Sequence, residues 1–361
     1  MEFFIPALFA FIITSLSVIP TIKLAQKFNL LDNPKLRLHP AQVHTKTIPR
    51  AGGLACFIGI VLAIFIFIPI EKHIIGVLLA LFVILTVGLI DDKYHRFSPY
   101  KRLLVQFLAA GLIVISGVGI TFITNPLGGI INLDRFVYSF EFLGLHQIII
   151  IADFMALIWI VWIMNMINWS KGVDGQMPTI VLVAAIFLGL LSLKLYFQGD
   201  YNQLNIAKLS FITAGASAGF LIFNWHPAKI FPGFSGSGIF GIMLATLSIL
   251  SGAKLATAML VLLIPATDFI YTFIRRILNG KSPVWGDQGH LHHTLLKRGF
   301  SHQQITCIYG VFGVILGALA LNLNSKGKLF AIVLVALATL GIILWLNLFG
   351  GYSKQQDPDN G

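Results

Sequence analysis

The chain has 361 residues, of which 57% are hydrophobic and only 11% charged, with a mean hydropathy of +0.87. Soluble domains carry about a quarter charged residues, and a soluble core stops growing at roughly 250–300 residues, so this composition excludes an ordinary soluble protein. The net charge is +11, and the basic residues lie between apolar stretches. We therefore predict no nucleic-acid partner and attribute the charge to membrane orientation and anionic substrates.

A membrane-spanning helix needs about 20 mostly apolar residues. Eleven such stretches occur, at 3–20, 54–70, 74–90, 103–122, 148–167, 179–197, 206–223, 238–252, 255–278, 304–321 and 329–349. The sequence thus predicts an all-α polytopic membrane protein of about eleven transmembrane helices. It predicts one helical bundle over residues 1–351, followed by a polar tail at 352–361. Turn residues and alternating apolar positions in the segment 123–147 favour a small outer hairpin.

The basic residues are distributed unequally between the two sides of this bundle. One set of loops, with the tail, holds 18 Lys and Arg residues, and the opposite loops and helix ends hold 7. Positively charged loops stay on the cytoplasmic side. We therefore predict a multi-pass protein of the cell (inner) membrane, with the N-terminus outside and the C-terminus in the cytoplasm.

Unusual polar clusters occur only in loops predicted to be cytoplasmic. They lie at 44–53, 91–93, 165–175, 224 with 227–238, and 287 with 290–293. Five such clusters on one face of a membrane bundle indicate one composite site for a water-soluble substrate.

Each cluster also has a simpler explanation. Asp91 and Asp92 are a pair that can hold Mg²⁺ or act as a base, or can be a solvated helix end. Asn165 and Asn168 lie one helical turn apart on one face. The glycine- and serine-rich run after position 232 begins a helix whose N–H groups can bind an anion, although such loops often only turn.

The histidine cluster and one buried acid complete the candidate site. His290, His292 and His293 can ligate zinc, but no cysteine lies near them and neighbouring cations disfavour a metal. Hydrogen bonds to a diphosphate are the preferred interpretation. Asp268 lies inside a predicted span, where a carboxylate is costly and is functional by default.

Taken in order, these clusters resemble the polyprenyl-phosphate N-acetylhexosamine-1-phosphate transferases, the WecA/TagO/MraY superfamily. The resemblance extends over residues 44–301. It rests on the Pro-Arg-Ala-Gly-Gly run at 49–53, the acid pair, the N-x-x-N-x-x-x-G-x-D-G run from Asn165 to Gly175, and the His-Leu-His-His run from 290. The first and last of these runs are similar to the branch that uses UDP-N-acetylglucosamine or a related HexNAc.

The resemblance implies a membrane bundle that transfers a sugar 1-phosphate from a UDP-sugar to polyprenyl (undecaprenyl) phosphate. UMP is released, usually with Mg²⁺, and a cell-envelope glycan such as lipopolysaccharide, teichoic acid or capsule is started. A homodimer is compatible with it. On this basis we expect catalytic roles for Asp91, Asp92, Asp174, Lys171, His290, His292 and His293. We expect substrate binding by His44, Arg50, Gly52, Gly53, Asn165, Asn168, Gly175, Ser235, Gly236, Ser237, Asp268 and Asp287.

Two positions depart from the family pattern. Lys171 stands where the signature has its first Asp, and Phe234 stands where the family has an Asp that ligates magnesium. An aromatic ring cannot ligate Mg²⁺, which prefers oxygen. We interpret Lys171 as taking over part of the metal's task, with Mg²⁺ bound weakly through Asp91, Asp92 and Asp174, or not needed.

Two other classes of function stay open at this point. A family member with an impaired site would bind nucleotide or lipid without turnover. A transporter would also have many spans, but transport sites lie at mid-membrane on broken helices, whereas these clusters lie at one edge.

Overall fold

The computed structural model describes residues 2–34, 46–94, 97–125, 128–141, 145–252, 254–287 and 289–348. The helices in this part of the chain are α1 Phe4–Lys27, α2 Gly52–Phe67, α3 Lys72–Lys93, α4 Pro99–Ile115, α5 Ile150–Trp169, α6 Gln176–Phe197, α7 Gln203–Asn224, α8 Gly233–Leu250, α9 Leu255–Val261, α10 Leu263–Leu278, α11 Leu291–Lys297, α12 His302–Asn322 and α13 Ser325–Leu348. The predicted tail at 352–361 lies outside these residues.

Three short antiparallel hairpins accompany the helices. The strands are β1 Leu31–Asp32, β2 Ile48–Pro49, β3 Phe122–Thr124, β4 Ile130–Asn132, β5 Val137–Glu141 and β6 Leu145–Ile149. They pair as β1 with β2, β3 with β4, and β5 with β6. A hairpin in the segment 123–147 is therefore confirmed, as two hairpins in succession between α4 and α5, while its place on the outer side stays a prediction.

The described residues confirm a polytopic helical membrane protein. Eight of their helices are long and apolar enough to cross a bilayer, and a ninth span results if α9 and α10 are counted together. The helix α2 is apolar but has only 16 residues. The total of eleven spans, the single bundle and the orientation of the termini stay predictions.

Two predicted spans have different bounds in the structure. The span predicted at 103–122 ends at Ile115, after which the chain turns at Ser116 and Gly117 toward β3. The span predicted at 255–278 is divided into α9 and α10, which meet at an angle of 84°. Pro265 lies in the first turn of α10, where its missing N–H is tolerated. In one continuous helix its ring would clash with the carbonyl four residues earlier, which explains the break.

The helix α8 lies in the middle of the bundle and positions the site. It packs against α2, α3, α5, α6 and α7, and all its residues except the last are buried. Its sequence is correspondingly apolar or small on every side, as expected for a helix without a lipid or water face. Glycines allow its start to approach two neighbours, since a Cβ at Gly53 or Gly88 would lie 2.4–2.5 Å from Ser235 or Gly236.

Candidate active site

The acid pair lies at the C-terminal end of α3, facing the first turn of α8. Asp92 accepts hydrogen bonds from the Phe234 N–H at 2.8 Å and from the Ser235 hydroxyl at 2.6 Å. These groups lie at the positive end of the α8 dipole, which stabilises a carboxylate. Gly233, with φ +68°, allows the approach, because a Cβ there would lie 2.2 Å from Asp92 Oδ2.

Two arginines neutralise the acid pair. Arg50 Nε lies 3.3 Å from Asp92 Oδ1 and its Nη2 lies 3.7 Å from Asp91 Oδ2. Arg102, at the start of α4, donates from Nε to Asp91 Oδ1. Arg50 and both aspartates are at most 5% exposed, so these are buried charges that need partners. The Arg50 side chain is therefore held on the acid pair from the start of α2.

Lys171 follows α5 and connects that helix to the start of α8. Its amine donates to Asn168 Oδ1 at 2.6 Å, to the Gly233 carbonyl at 2.9 Å and to Ser237 Oγ at 3.4 Å. An ammonium group has three donors, and these three acceptors use all of them. The predicted site residue Asn168 is thereby fixed, since its Oδ1 also accepts from the Ser237 hydroxyl.

The environment of Lys171 disfavours its positive charge. Burial of the amine, followed by the positive charge of Arg50, holds the pKa of Lys171 well below its ordinary value. Arg102 acts in the same direction, while the carboxylates of Asp92 and Asp91 oppose it. An anion bound beside the amine would raise this pKa again.

Phe234 uses its backbone and its ring for different purposes. The backbone N–H donates to Asp92, and the buried ring lies under the guanidinium of Arg102, with 5.7 Å between the guanidinium carbon and the ring centroid. A cation above an aromatic face is attracted by the ring's quadrupole. Because Lys171 contacts the carbonyl of Gly233, the two residues that depart from the family pattern lie close together.

The histidine loop is anchored by the buried carboxylate of α10. Asp268 accepts from His290 Nδ1 at 2.9 Å and from the Leu291 N–H at 2.7 Å. The His290 ring also packs edge-on against Trp169, the last residue of α5, with 5.0 Å between the ring centroids. Asp268 is therefore a residue that positions the start of α11.

His292 connects this loop to the segment after α5. A Cβ at Gly172 would lie 2.2 Å from His292 Nε2, so glycine is needed there for close approach. Burial, and then the neighbouring His293 and His290, hold the pKa of His292 well below its ordinary value, which keeps the ring neutral. Its Nε2 is buried and has no hydrogen-bond partner among the described residues, which is costly unless a ligand supplies one.

Three further predicted residues make contacts that hold the fold together. Asn165 donates to Gln106 Oε1 at 2.8 Å, which connects α5 with α4. Gly52 is packed against Phe220, and Asp287 pairs with Arg275 and Arg276.

Asp287 is held by this pairing in the loop before α11. Burial alone would raise the pKa of its carboxyl, but hydrogen bonds from Arg276 and the Gly289 N–H, and the charge and hydrogen bond of Arg275, lower it below the ordinary value. Asp287 is therefore ionised at neutral pH. His44 lies outside the described residues.

Asp174 has a separate set of partners. Its Oδ2 lies 2.7 Å from His226 Nδ1 and 3.8 Å from His302 Nδ1. Gly175, with φ +78°, begins α6 and donates its N–H to Asn224 Oδ1. The hydrogen bonds and ion pairs of Asp174 in the described part of the chain do not involve the acid pair.

All five predicted clusters are therefore joined by direct contacts of at least one of their described residues. The run begins with Arg50 on the acid pair and continues through the start of α8 to Lys171. It ends where Gly172 meets His292. All of these residues lie at helix ends or in the loops beside them, at one end of the bundle.

Known proteins resemble this chain over most of its length. Residues 74–252 match the model of the family described as glycosyl transferase family 4. The chain is 31% identical over 328 residues to a probable undecaprenyl-phosphate N-acetylglucosaminyl 1-phosphate transferase of Bacillus subtilis, covering 88% of this chain and 84% of that protein. It is 30% identical over 390 residues to a decaprenyl-phosphate N-acetylglucosaminephosphotransferase of Mycobacterium tuberculosis, covering 99% and 92%.

The chain belongs to the polyprenyl-phosphate N-acetylglucosamine-1-phosphate transferase family. A more distant relative is an undecaprenyl-phosphate alpha-N-acetylglucosaminyl 1-phosphate transferase of Yersinia pestis, 22% identical over 293 residues, 78% of this chain and 73% of that protein. The resemblance found in the sequence is thereby confirmed.

Members of this transferase family use a divalent metal, but the acid pair of this chain does not fit one. Both aspartates are engaged by guanidinium groups, and the two positions that would complete an oxygen ligand set are Lys171 and Phe234. Like unit charges 4 Å apart repel by about 4 kcal/mol near a protein surface, and a dication doubles this. Arg50 and Arg102 therefore already supply positive charge where Mg²⁺ would bring it.

Three residues that the fold brings into or beside the candidate site were not predicted from the sequence. Arg102 lies in a predicted loop with three other basic residues, so nothing in the sequence distinguished it from them. His226 and His302 are single histidines in separate segments. His226 lies in the loop between α7 and α8, and His302 lies at the start of α12. Only the fold shows that they meet at Asp174.

Proposed function

We propose that this protein transfers N-acetylglucosamine 1-phosphate, or a related HexNAc 1-phosphate, from its UDP-sugar to polyprenyl phosphate and releases UMP. The names of its relatives support this substrate class. The observation that carries the proposal is the buried cluster in which Arg50, Arg102 and Lys171 surround the acid pair. Such a concentration of fixed cations suits a diphosphate.

The reaction exchanges one phosphorus–oxygen bond for another. An oxygen of the lipid phosphate attacks the sugar-linked phosphorus of the UDP-sugar, and a new bond forms between them. The bond from that phosphorus to the bridging oxygen breaks, and this oxygen leaves as part of UMP. A transfer of this kind depends on positioning and charge stabilisation more than on a strong nucleophile.

The three cations have the charge and the location for that stabilisation. Arg50 and Arg102 are held by the acid pair at one side of the cluster, and Lys171 is held by neutral oxygens at the other. Because none of its three acceptors carries a charge, a phosphate bound beside the Lys171 amine would be a direct anionic partner and would favour its protonated form.

Asp91 is the better placed of the two acids to receive a proton from the lipid phosphate. With respect to the described residues, its Oδ2 is buried without a hydrogen bond and pairs only with Arg50, whereas Asp92 is held by the start of α8. The second pKa of a phosphate monoester is near 6, so little basicity is required. The unpartnered Nε2 of His292 would receive its hydrogen bond from a hydroxyl of the sugar nucleotide.

We further infer that the cluster faces the cytoplasm and that no step uses Mg²⁺. The excess of Lys and Arg in the loops at this end of the bundle supports the first inference. The ion pairs at the acid pair, together with Lys171 and Phe234, support the second. The polyprenyl chain would reach the cluster from the inner leaflet between the helices.

The decisive experiment measures transfer of label from UDP-[¹⁴C]GlcNAc to undecaprenyl phosphate in proteoliposomes, with and without EDTA. We expect labelled lipid in both conditions. Lys171→Gln should lower the rate by about 10²- to 10³-fold, the usual cost of losing one charge-stabilising donor. The matched control is Lys208→Gln, which should not affect the rate. Lys208 lies beside Glu2 near the start of α7, at the end of that helix away from the cluster.

Other outcomes would contradict the proposal. Nucleotide binding without labelled lipid would indicate a non-catalytic family member. Uptake of label into the vesicle lumen without a lipid product would indicate a transporter. Activity that requires Mg²⁺, and that is unchanged in Lys171→Asp combined with Phe234→Asp, would refute the role of Lys171 while leaving the transfer itself intact.

A further inference from the structure

Three side chains capable of binding a metal meet beside the transferase site. Asp174 lies in the loop before α6, His226 in the loop after α7, and His302 at the start of α12. One ligand atom from each lies within 4.8 Å of the others. His226 and His302 are 52 and 128 positions from Asp174 along the chain, so only the fold brings the three together.

The distances are close to those of a tetrahedral site. Bonds of about 2.0–2.1 Å from zinc to nitrogen or oxygen place two ligand atoms roughly 3.3 Å apart. The Asp174 Oδ2 separations of 2.7 Å to His226 and 3.8 Å to His302 lie on either side of this value. Shifts of about 0.5 Å, within the range of side-chain rotation, would bring both to it.

The protonation state of His302 also suits a metal. Its Nδ1 accepts a hydrogen bond from the Asp174 N–H at 3.2 Å, so this nitrogen carries no proton. A neutral imidazole nitrogen is the form that binds a metal, and an ion would take the lone pair that accepts this hydrogen bond. At His226 the ring nitrogen contacts the same carboxylate oxygen, where an ion would replace the shared proton.

Surrounding groups orient the three side chains. The Ala228 N–H donates to Asp174 Oδ2 at 3.2 Å, and Thr306 Oγ1 donates to the Asp174 carbonyl at 2.8 Å. The rings of His226 and His302 stack with 4.4 Å between their centroids. Such outer contacts fix ligands and raise metal affinity.

We propose that Asp174, His226 and His302 bind a transition-metal ion of the Zn²⁺ class. Two imidazoles and one carboxylate suit zinc and its neighbours, whereas Mg²⁺ prefers oxygen ligands throughout. The side chains are 12%, 37% and 18% exposed, which allows an ion to enter and leaves a coordination position open to water. The ion would tie the loop that carries Lys171 to the start of α12.

The test measures metal binding to the full-length protein in detergent, without sugar nucleotide or lipid, so its result is independent of the proposed transfer. Metal-free protein is titrated with Co²⁺, whose visible absorption reports a site of low coordination number, and then with competing Zn²⁺. We expect one ion per chain. His226→Gln and His302→Gln should each weaken binding by on the order of 100-fold, while remaining monodisperse in size-exclusion chromatography.

His73→Gln is the matched control and should bind metal as the wild type does, because His73 lies 3.5 Å from Glu71 and the described residues offer no third ligand there. A second measurement needs no variant: Zn²⁺ should protect His226 and His302 of the wild-type protein from carbethoxylation by diethyl pyrocarbonate. Equal binding by wild type and both variants, absence of binding to the wild type, or protection of His290, His292 and His293 instead would overturn the proposal.

Discussion

At the scale of single residues, Lys171 and Phe234 change the site together. Lys171 places an ammonium group where the family pattern has an acid, and its amine contacts the carbonyl of Gly233, next to Phe234. Phe234 offers Arg102 the face of its ring where the family pattern has a carboxylate. One change brings in a positive charge and the other removes a metal ligand. Both therefore favour a site that works through its own cations.

The lowered pKa of Lys171 gives nucleotide binding a pH dependence. In the free protein, burial and Arg50 lower this pKa, and a bound diphosphate would raise it. At a pH between the pKa of Lys171 in the free protein and its pKa in the complex, each binding event takes up one proton. Affinity should therefore fall as the pH rises through that window, by up to tenfold per pH unit. Isothermal titration with UDP-GlcNAc at several pH values measures this slope.

The choice of ligand and variant isolates Lys171 in this experiment. UDP-GlcNAc has no phosphate proton that titrates near neutral pH, unlike UMP, whose phosphate is a monoester. In Lys171→Gln the slope should disappear while the fold is retained. A slope that persists in this variant would assign the proton to another group.

At the scale of elements, the apolar stretches of the sequence locate most of the helices. They fail where a local feature interrupts an apolar run, as at Pro265, which divides the span predicted at 255–278. Hydropathy averages over about 20 residues and does not register one missing N–H. The second hairpin was also missed, because Val137–Glu141 and Leu145–Ile149 are strands of only five residues each.

The contact between α3 and α8 depends on a glycine in a helix interior. A Cβ at Gly88 would lie 2.5 Å from the Cα of Ser235, and backbone atoms cannot move aside easily. We expect Gly88→Ala to destabilise the protein by about 1–3 kcal/mol, the usual cost of overpacking, and to lower the thermal unfolding midpoint by several degrees. Differential scanning fluorimetry in detergent measures the midpoint.

Gly111→Ala is the matched control for this prediction. Gly111 also lies inside a helix, α4, but a Cβ there would meet nothing within 4 Å. The added methyl should leave stability unchanged or raise it by about 0.5–1 kcal/mol through helix propensity. Equal midpoints for the two variants would contradict close packing as the role of Gly88.

At the scale of the whole molecule, the sequence predicted that the polar clusters converge but not how their charges pair. The motifs identified Arg50, the acid pair, Lys171 and His292, and the fold joins them by contacts. Which charges pair depends on the distances between segments that lie far apart in the chain. A single sequence shows no repeat or local spacing from which these distances could be inferred. For this reason Arg102 on Asp91, and the partners of Asp174, were found only in the structure.

The predicted orientation of the bundle is the remaining property of the whole molecule, and it follows from charge alone. The 18 basic residues on one side and 7 on the other predict that the transferase cluster faces the cytoplasm. Two exposed residues, Asp134 between the outer hairpins and Lys281 after α10, report on opposite sides. In a Cys307→Ser background, a membrane-impermeant maleimide should label Asp134→Cys in intact cells and Lys281→Cys only after permeabilisation. The reverse pattern would place the cations away from the cytoplasmic pool of UDP-sugar, and would contradict the orientation without altering the geometry of the cluster.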